Sequence, residues 1–121
     1  FYILLAIPNR MENIQLKNSL TQHQSENQLV EWIEKVGLTS HLHQKAVHLS
    51  YGQRQRIAVI RALCQPFEFL LLDEPFSHLD ENNQQVLIDL VIEEATKKNA
   101  GILFTSLHKI NDKRLENVIQ L

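Results

Sequence analysis

Phe69-Leu70-Leu71-Leu72-Asp73-Glu74-Pro75 is an apolar run followed by two acids and a proline. A stretch this short and apolar throughout suits a strand buried on both faces of a parallel sheet. The two carboxylates then stand at the strand's C-terminal end, where open α/β sheets bind ligands. There one acid can hold Mg²⁺, usually through water, because that ion is hard and prefers oxygen. The acid beside it can orient or deprotonate a water molecule. On these residues alone a plainer reading stays open, a strand end solvated by two acids.

Upstream lies Leu49-Ser50-Tyr51-Gly52-Gln53-Arg54-Gln55-Arg56. Ser50 is a good N-cap for a helix from about Gly52 to Gln65, with Ile57, Ile60 and Leu63 on its apolar side and Pro66 as its stop. The positive end of that helix is an anion site in principle, and Gly52 lets a phosphate approach because it has no Cβ. The alternative is a capped helix with a solvated arginine face. Further upstream, Leu29, Trp32, Ile33 and Val36 recur at helical spacing, which predicts a helix over 26–36 ended by Gly37. Thr39 to Val47 reads as a loop or short helix.

Downstream, Val86, Leu87, Leu90, Val91 and Ala95 make a stripe on a helix from about Asn82 to Lys98, and Gly101 ends the next turn. Ile102-Leu103-Phe104-Thr105 is the next strand, and Asn117 to Leu121 reads as another. Helices alternating with short apolar strands predict an α/β fold with a three-layer core, and the helical stretch before Leu49 forms a separate lobe.

Composition narrows the function. The 121 residues carry a net charge of −2, which argues against a broadly basic nucleic-acid surface. The single cysteine, Cys64, excludes an internal disulfide framework and reads as a small buried residue. No apolar stretch approaches the roughly 20 residues that span a bilayer. Phe1 to Pro8 lacks the basic start and cleavage site of a signal peptide. His41, His43 and His48 have no cysteine or acid at ligand spacing and read as surface residues rather than a zinc site. Arg54, Arg56 and Arg61 read as a solvated face or as dimer contacts. The three glycines, Gly37, Gly52 and Gly101, are scattered, and no Gly-Lys pair occurs, so no phosphate-binding loop of the form G-x-x-x-x-G-K-[ST] is present.

Taken in order, Leu49-Ser50-Tyr51-Gly52-Gln53, then Asp73-Glu74-Pro75, then Ser77-His78-Leu79-Asp80, and then Ser106-Leu107-His108 after a strand resemble the ATP-binding-cassette (ABC) ATPase family. Met11-Glu12-Asn13-Ile14 resembles the stretch that follows that family's Q-loop. The likeness covers nearly the whole chain. It implies a P-loop NTPase-like three-layer core with an incomplete parallel sheet (about 50–121) and an α-helical subdomain (about 10–50). It also implies that the P-loop, the Q-loop glutamine and the adenine-stacking aromatic precede residue 1, so that residues 1–121 alone are inactive and poorly soluble.

By this resemblance Asp73 helps hold Mg²⁺, Glu74 polarises the attacking water and His108 contacts the γ-phosphate. Ser50, Gly52 and Gln53 grip the γ-phosphate of ATP bound to the opposite subunit. Asp80, with Ser77, lies at the interface of a head-to-tail dimer with a second nucleotide-binding domain. Two positions depart from the usual pattern. Tyr51 stands where the family most often has glycine, and Leu107 stands where threonine or serine precedes the histidine.

The implied whole is a cytoplasmic ATPase, peripheral on the inner face of the cell membrane. It couples ATP hydrolysis to solute movement through transmembrane permease subunits, which its helical lobe touches. No nucleic-acid partner is expected. The run Asp73-Glu74-Pro75-Phe76-Ser77-His78-Leu79-Asp80 resembles the importer type more than the exporter type. A soluble ABC-type ATPase of DNA repair or of ribosomes, and a non-hydrolytic remnant, stay open as alternatives; no sustained heptad pattern of the repair type is present.

Overall fold

A computed structural model describes residues 24–41 and 48–115. In chain order it contains α1 (Glu26–Lys35), a 3₁₀ turn (Thr39–His41), α2 (Tyr51–Leu63), β1 (Phe69–Leu72), α3 (Glu81–Lys97) and β2 (Gly101–Phe104). Each helix predicted from spacing is present within two residues of its expected ends. The strand expected over Asn117 to Leu121 and the Met11–Ile14 stretch lie outside the described residues, as do most of Thr39 to Val47.

Local chemistry explains the boundaries. Ser25, Ser50 and Asp80 cap the three helices, each accepting from a backbone N–H in the first turn. Such a cap contributes about 1 kcal/mol. Gly37 ends α1 at φ +69, with its N–H donating to Glu34 O and that of Leu38 donating to Ile33 O. That paired reversal needs a left-handed residue, which glycine adopts without steric cost. At the end of α3 the same role falls to Asn99 (φ +51), not to Gly101. Gly101 instead opens β2, where an added Cβ would lie 2.6 Å from the Phe69 ring.

β1 and β2 pair in parallel with Phe69 opposite Gly101 and Leu72 opposite Phe104, and α3 makes the crossover between them. Leu70 and Leu72 are buried in one cluster with Ile57, Ile60 and Leu63 of α2 and with Leu87, Leu90 and Val91 of α3. Leu29, Trp32 and Ile33 of α1 belong to the same cluster. Full burial of such side chains stabilises by roughly 1.5–3 kcal/mol each.

The expectation of a strand covered on both faces is not met within this chain. β1 alternates exposed and buried, and Phe69, Leu71 and Leu103 are 72%, 70% and 63% exposed. Only one face of the sheet carries helices among the described residues, so the alternation reflects one covered side rather than a two-sided strand.

Arg56 joins the three helices. Its Nη1 donates to Val36 O at 2.8 Å and to Asn83 Oδ1 at 2.9 Å, and its Nε donates to Gly52 O at 3.3 Å. The guanidinium's rigid fork serves the end of α1, the start of α2 and the first turn of α3 together. Reading Arg56 as part of a solvated face is therefore corrected: its half-buried head is an internal tie, whereas Arg54 is exposed.

Candidate functional site

The parallel register brings the C-terminal ends of β1 and β2 side by side, and the acids follow β1 there. Thr105, the residue after β2, donates its N–H to Leu72 O at 3.0 Å, extending the ladder one step. Its hydroxyl donates to Asp73 Oδ1 at 2.6 Å and accepts from the Glu74 N–H at 3.0 Å. One hydroxyl thus organises both acidic residues. Sequence reading placed Thr105 in a strand and missed this role. Its one signal is a polar residue at the end of an apolar strand that pairs with the acid-bearing one.

Glu74 sits at φ +47, the left-handed region. For a non-glycine residue that conformation costs on the order of 1–3 kcal/mol and persists only where its surroundings enforce it. Three donors meet its carbonyl oxygen: Gln55 Nε2 at 2.9 Å, Ser77 Oγ at 3.0 Å and Ser77 N–H at 3.3 Å. Phe76 of the same loop is buried with its ring edge-on to Phe104 of β2, centroids 5.4 Å apart, which presses the loop onto the sheet.

The start of α2 packs on the other end of this loop. Ser50 and Gln53 form a reciprocal capping box: Ser50 Oγ accepts from Gln53 N–H at 3.2 Å, and Gln53 Oε1 accepts from Ser50 N–H at 3.1 Å. These two expected phosphate contacts are therefore paired with each other here, and the Gln53 N–H is committed to the cap. Gly52 is buried, and an added Cβ would lie 3.0 Å from both His78 O and Leu79 Cδ2. The close approach Gly52 permits in this chain is thus to the loop's backbone. Tyr51 is half exposed and meets the His78 ring edge-on, 4.6 Å between centroids.

Asp80 closes the loop as the N-cap of α3. Its Oδ1 accepts from Asn83 N–H at 2.8 Å and its Oδ2 from Asn83 Nδ2 at 2.7 Å. The Asn83 backbone N–H, then its side-chain amide, hold the Asp80 carboxyl below its ordinary range. His108 is exposed, in a turn where Ser106 Oγ donates to His108 O at 2.7 Å and accepts from His108 N–H at 3.3 Å. No hydrogen bond joins His108 to the acids.

The donor set suits a hard cation that keeps most of its water. Asp73 offers an exposed carboxylate already oriented by Thr105, and no cluster of three or more His, Cys, Asp or Glu side chains forms a closed cage among the described residues. Mg²⁺ binds in this manner, through one or two carboxylates plus substrate phosphates.

Residues 6–77 match the family model described as ABC transporter. The chain belongs to the ABC transporter family. The lipoprotein-releasing system ATP-binding protein of Buchnera aphidicola is 34% identical over 109 residues, covering 88% of this chain and 48% of that protein. The phosphonates import ATP-binding protein of Frankia casuarinae is 44% identical over 81 residues, covering 67% of this chain and 32% of that protein. Among solved structures, a dimeric bacterial ABC transporter cassette superposes with a TM-score of 0.70 at 22% identity, covering 86% of this chain and 48% of the cassette. That last likeness establishes the fold, a P-loop NTPase-type α/β architecture. The ABC chain spans about half the length, or less, of these relatives. Among its described residues no helix is long and apolar enough to cross a membrane.

Proposed function

We propose that the protein carrying this chain is the ATP-binding and hydrolysing subunit of a membrane ABC transporter, coupling ATP hydrolysis to solute translocation. The observation that carries this reading is the junction of two acids at the C-terminal end of a parallel strand with a glycine-bearing capped helix packed on the loop that follows them. Phosphoryl transfer depends on positioning and charge stabilisation, and this junction supplies fixed polar groups from separate elements. Asp73 would help hold Mg²⁺, whose charge would offset that of the phosphates. Glu74 would accept a proton from the attacking water, and His108 would contact the γ-phosphate. Ser50, Gly52 and Gln53 would face the nucleotide of a second nucleotide-binding domain, with Ser77 and Asp80 at that interface. The Ser50 hydroxyl hydrogen and Gln53 Nε2 would be the groups that donate to phosphate, because the capping box uses Ser50 Oγ and Gln53 Oε1 as acceptors.

The assembly we propose is a head-to-tail dimer on transmembrane permease subunits at the inner face of the cell membrane. Residues of about 10–50 form the lobe that meets the permease, and about 50–121 form part of the catalytic core. Membership of the family and the dimeric state of the superposed cassette support this arrangement. The named relatives serve different cargoes, lipoproteins and phosphonates, so the reading stops at solute transport.

The deciding experiment is Glu74→Gln in the full-length protein. Turnover should fall on the order of 10²–10⁴-fold with nucleotide affinity retained. Unchanged turnover would remove Glu74 from its role.

A further inference from the structure

Gln55 is 2% exposed, one of two buried polar residues among those described, the other being Glu94. Its Nε2 donates to Glu74 O and to Ser77 Oγ, both at 2.9 Å. Its Oε1 is buried and meets no partner. An orphaned buried carbonyl is unfavourable, and a methionine of similar length would avoid it. Core packing alone therefore does not explain a glutamine here. The amide's two donors do, because both end on the loop that carries Glu74.

The peptide groups on either side of the Glu74 Cα are held from different elements. The N–H is fixed by Thr105 after β2, and the carbonyl is fixed by Gln55 on α2 and by Ser77. Between these two holds, φ is +47. Turning Glu74 to an ordinary right-handed or extended conformation would break one set of bonds and swing its Cβ to a new direction. The carboxylate would go with it.

We propose that Gln55, acting with Ser77, is a positioning residue that clamps the Glu74 carbonyl and thereby aims the Glu74 carboxylate. The inference rests on the reading of Glu74 as the water-activating acid. It also gives α2 a direct handle on hydrolysis. Gln55 lies one turn beyond Gly52 on the same helix, so displacement of the α2 start on phosphate contact is passed to Glu74 through one amide.

The test uses the full-length protein with ATP and Mg²⁺, comparing Gln55→Met and Ser77→Ala in wild-type and Glu74→Gln backgrounds by single-turnover and steady-state hydrolysis. A small misplacement of a reacting group costs up to about 100-fold, so each clamp variant should lower kcat on the order of 10–100-fold. KM for ATP should move by less than about 2-fold. In the Glu74→Gln background the same substitutions should cause almost no further loss, because the group they aim is gone. An equal fold-loss in both backgrounds, or an unchanged kcat, overturns the clamp while leaving Glu74 in place. If Gln55→Met does not fold, Ser77→Ala decides by the same cycle. If Glu74→Gln itself leaves turnover unchanged, both the clamp and the hydrolytic reading fail.

Discussion

The backbone of Gly52 lies against the carbonyl of His78 so closely that a Cβ on Gly52 would stand 3.0 Å from that oxygen. The contact joins the first turn of α2 to the loop between β1 and α3. Backbone cannot yield as a side-chain end can, and His78 is itself held at φ +59. A methyl group on Gly52 would thus need this loop to give by a few tenths of an ångström, before any ligand is considered.

Gly52→Ala should therefore destabilise the protein, by about 1–3 kcal/mol from overpacking. Alanine's better helix propensity, at most about 1 kcal/mol, offsets only part of this. Denaturant unfolding of the full-length protein checks the outcome: the midpoint should fall with an unchanged slope. A midpoint at or above wild type would mean that the loop shifts freely.

Thr105→Val keeps the shape of the side chain and removes the hydroxyl that Asp73 and Glu74 share. Both groups are solvated enough for water to replace the lost bonds, so stability should change by less than about 1 kcal/mol. The expected effect is on cation use. Loss of a partner that orients a metal-binding carboxylate typically costs about 10-fold or more in affinity or activity. The Mg²⁺ concentration for half-maximal hydrolysis should rise accordingly in Thr105→Val and return toward wild type in Thr105→Ser. Equal Mg²⁺ titrations for all three proteins would count against the arrangement.

Asp80 gives a dependence on acid. Its carboxyl is held below the ordinary 3.8 by the Asn83 backbone N–H and then the Asn83 side chain. A depressed folded value means that the folded state binds the proton less readily than the unfolded one. The stabilising contribution is thus full above pH 3.8 and is lost as pH falls through the depressed value. Asp80→Asn keeps an oxygen for the cap without a titrating group. Below pH 3.8 its stability should fall less steeply than that of wild type. Acid unfolding of the full-length protein, followed by far-ultraviolet circular dichroism, measures both. Parallel curves would place the acid response elsewhere.

Much of this was legible in the residues themselves. Ser50, Gly37 and Pro66 mark helix ends by short-range rules that act within a few residues. The apolar spacing of Leu29, Trp32 and Ile33 marks a face. The order of Leu49–Gln53, Asp73–Glu74 and Ser77–Asp80 pointed to the family that residues 6–77 match. Local steric and hydrogen-bonding preferences suffice for these, because both partners lie on one stretch of chain.

Other features needed the folded structure. Thr105 reaches Asp73 across 32 residues, and Gln55 reaches Glu74 across 19. Neither pairing follows from residue type, since each depends on the register of β1 against β2 or on the rotation of α2 over the loop. Arg56 looked like its exposed neighbour Arg54 until the turn of the helix set one inward and one outward. β1 looked like a two-sided strand because Phe-Leu-Leu-Leu carries no polar alternation, yet Phe69 and Leu71 stand open to solvent within this chain. Residue type says which surfaces favour burial; only the packing of the other elements decides which ones this chain covers.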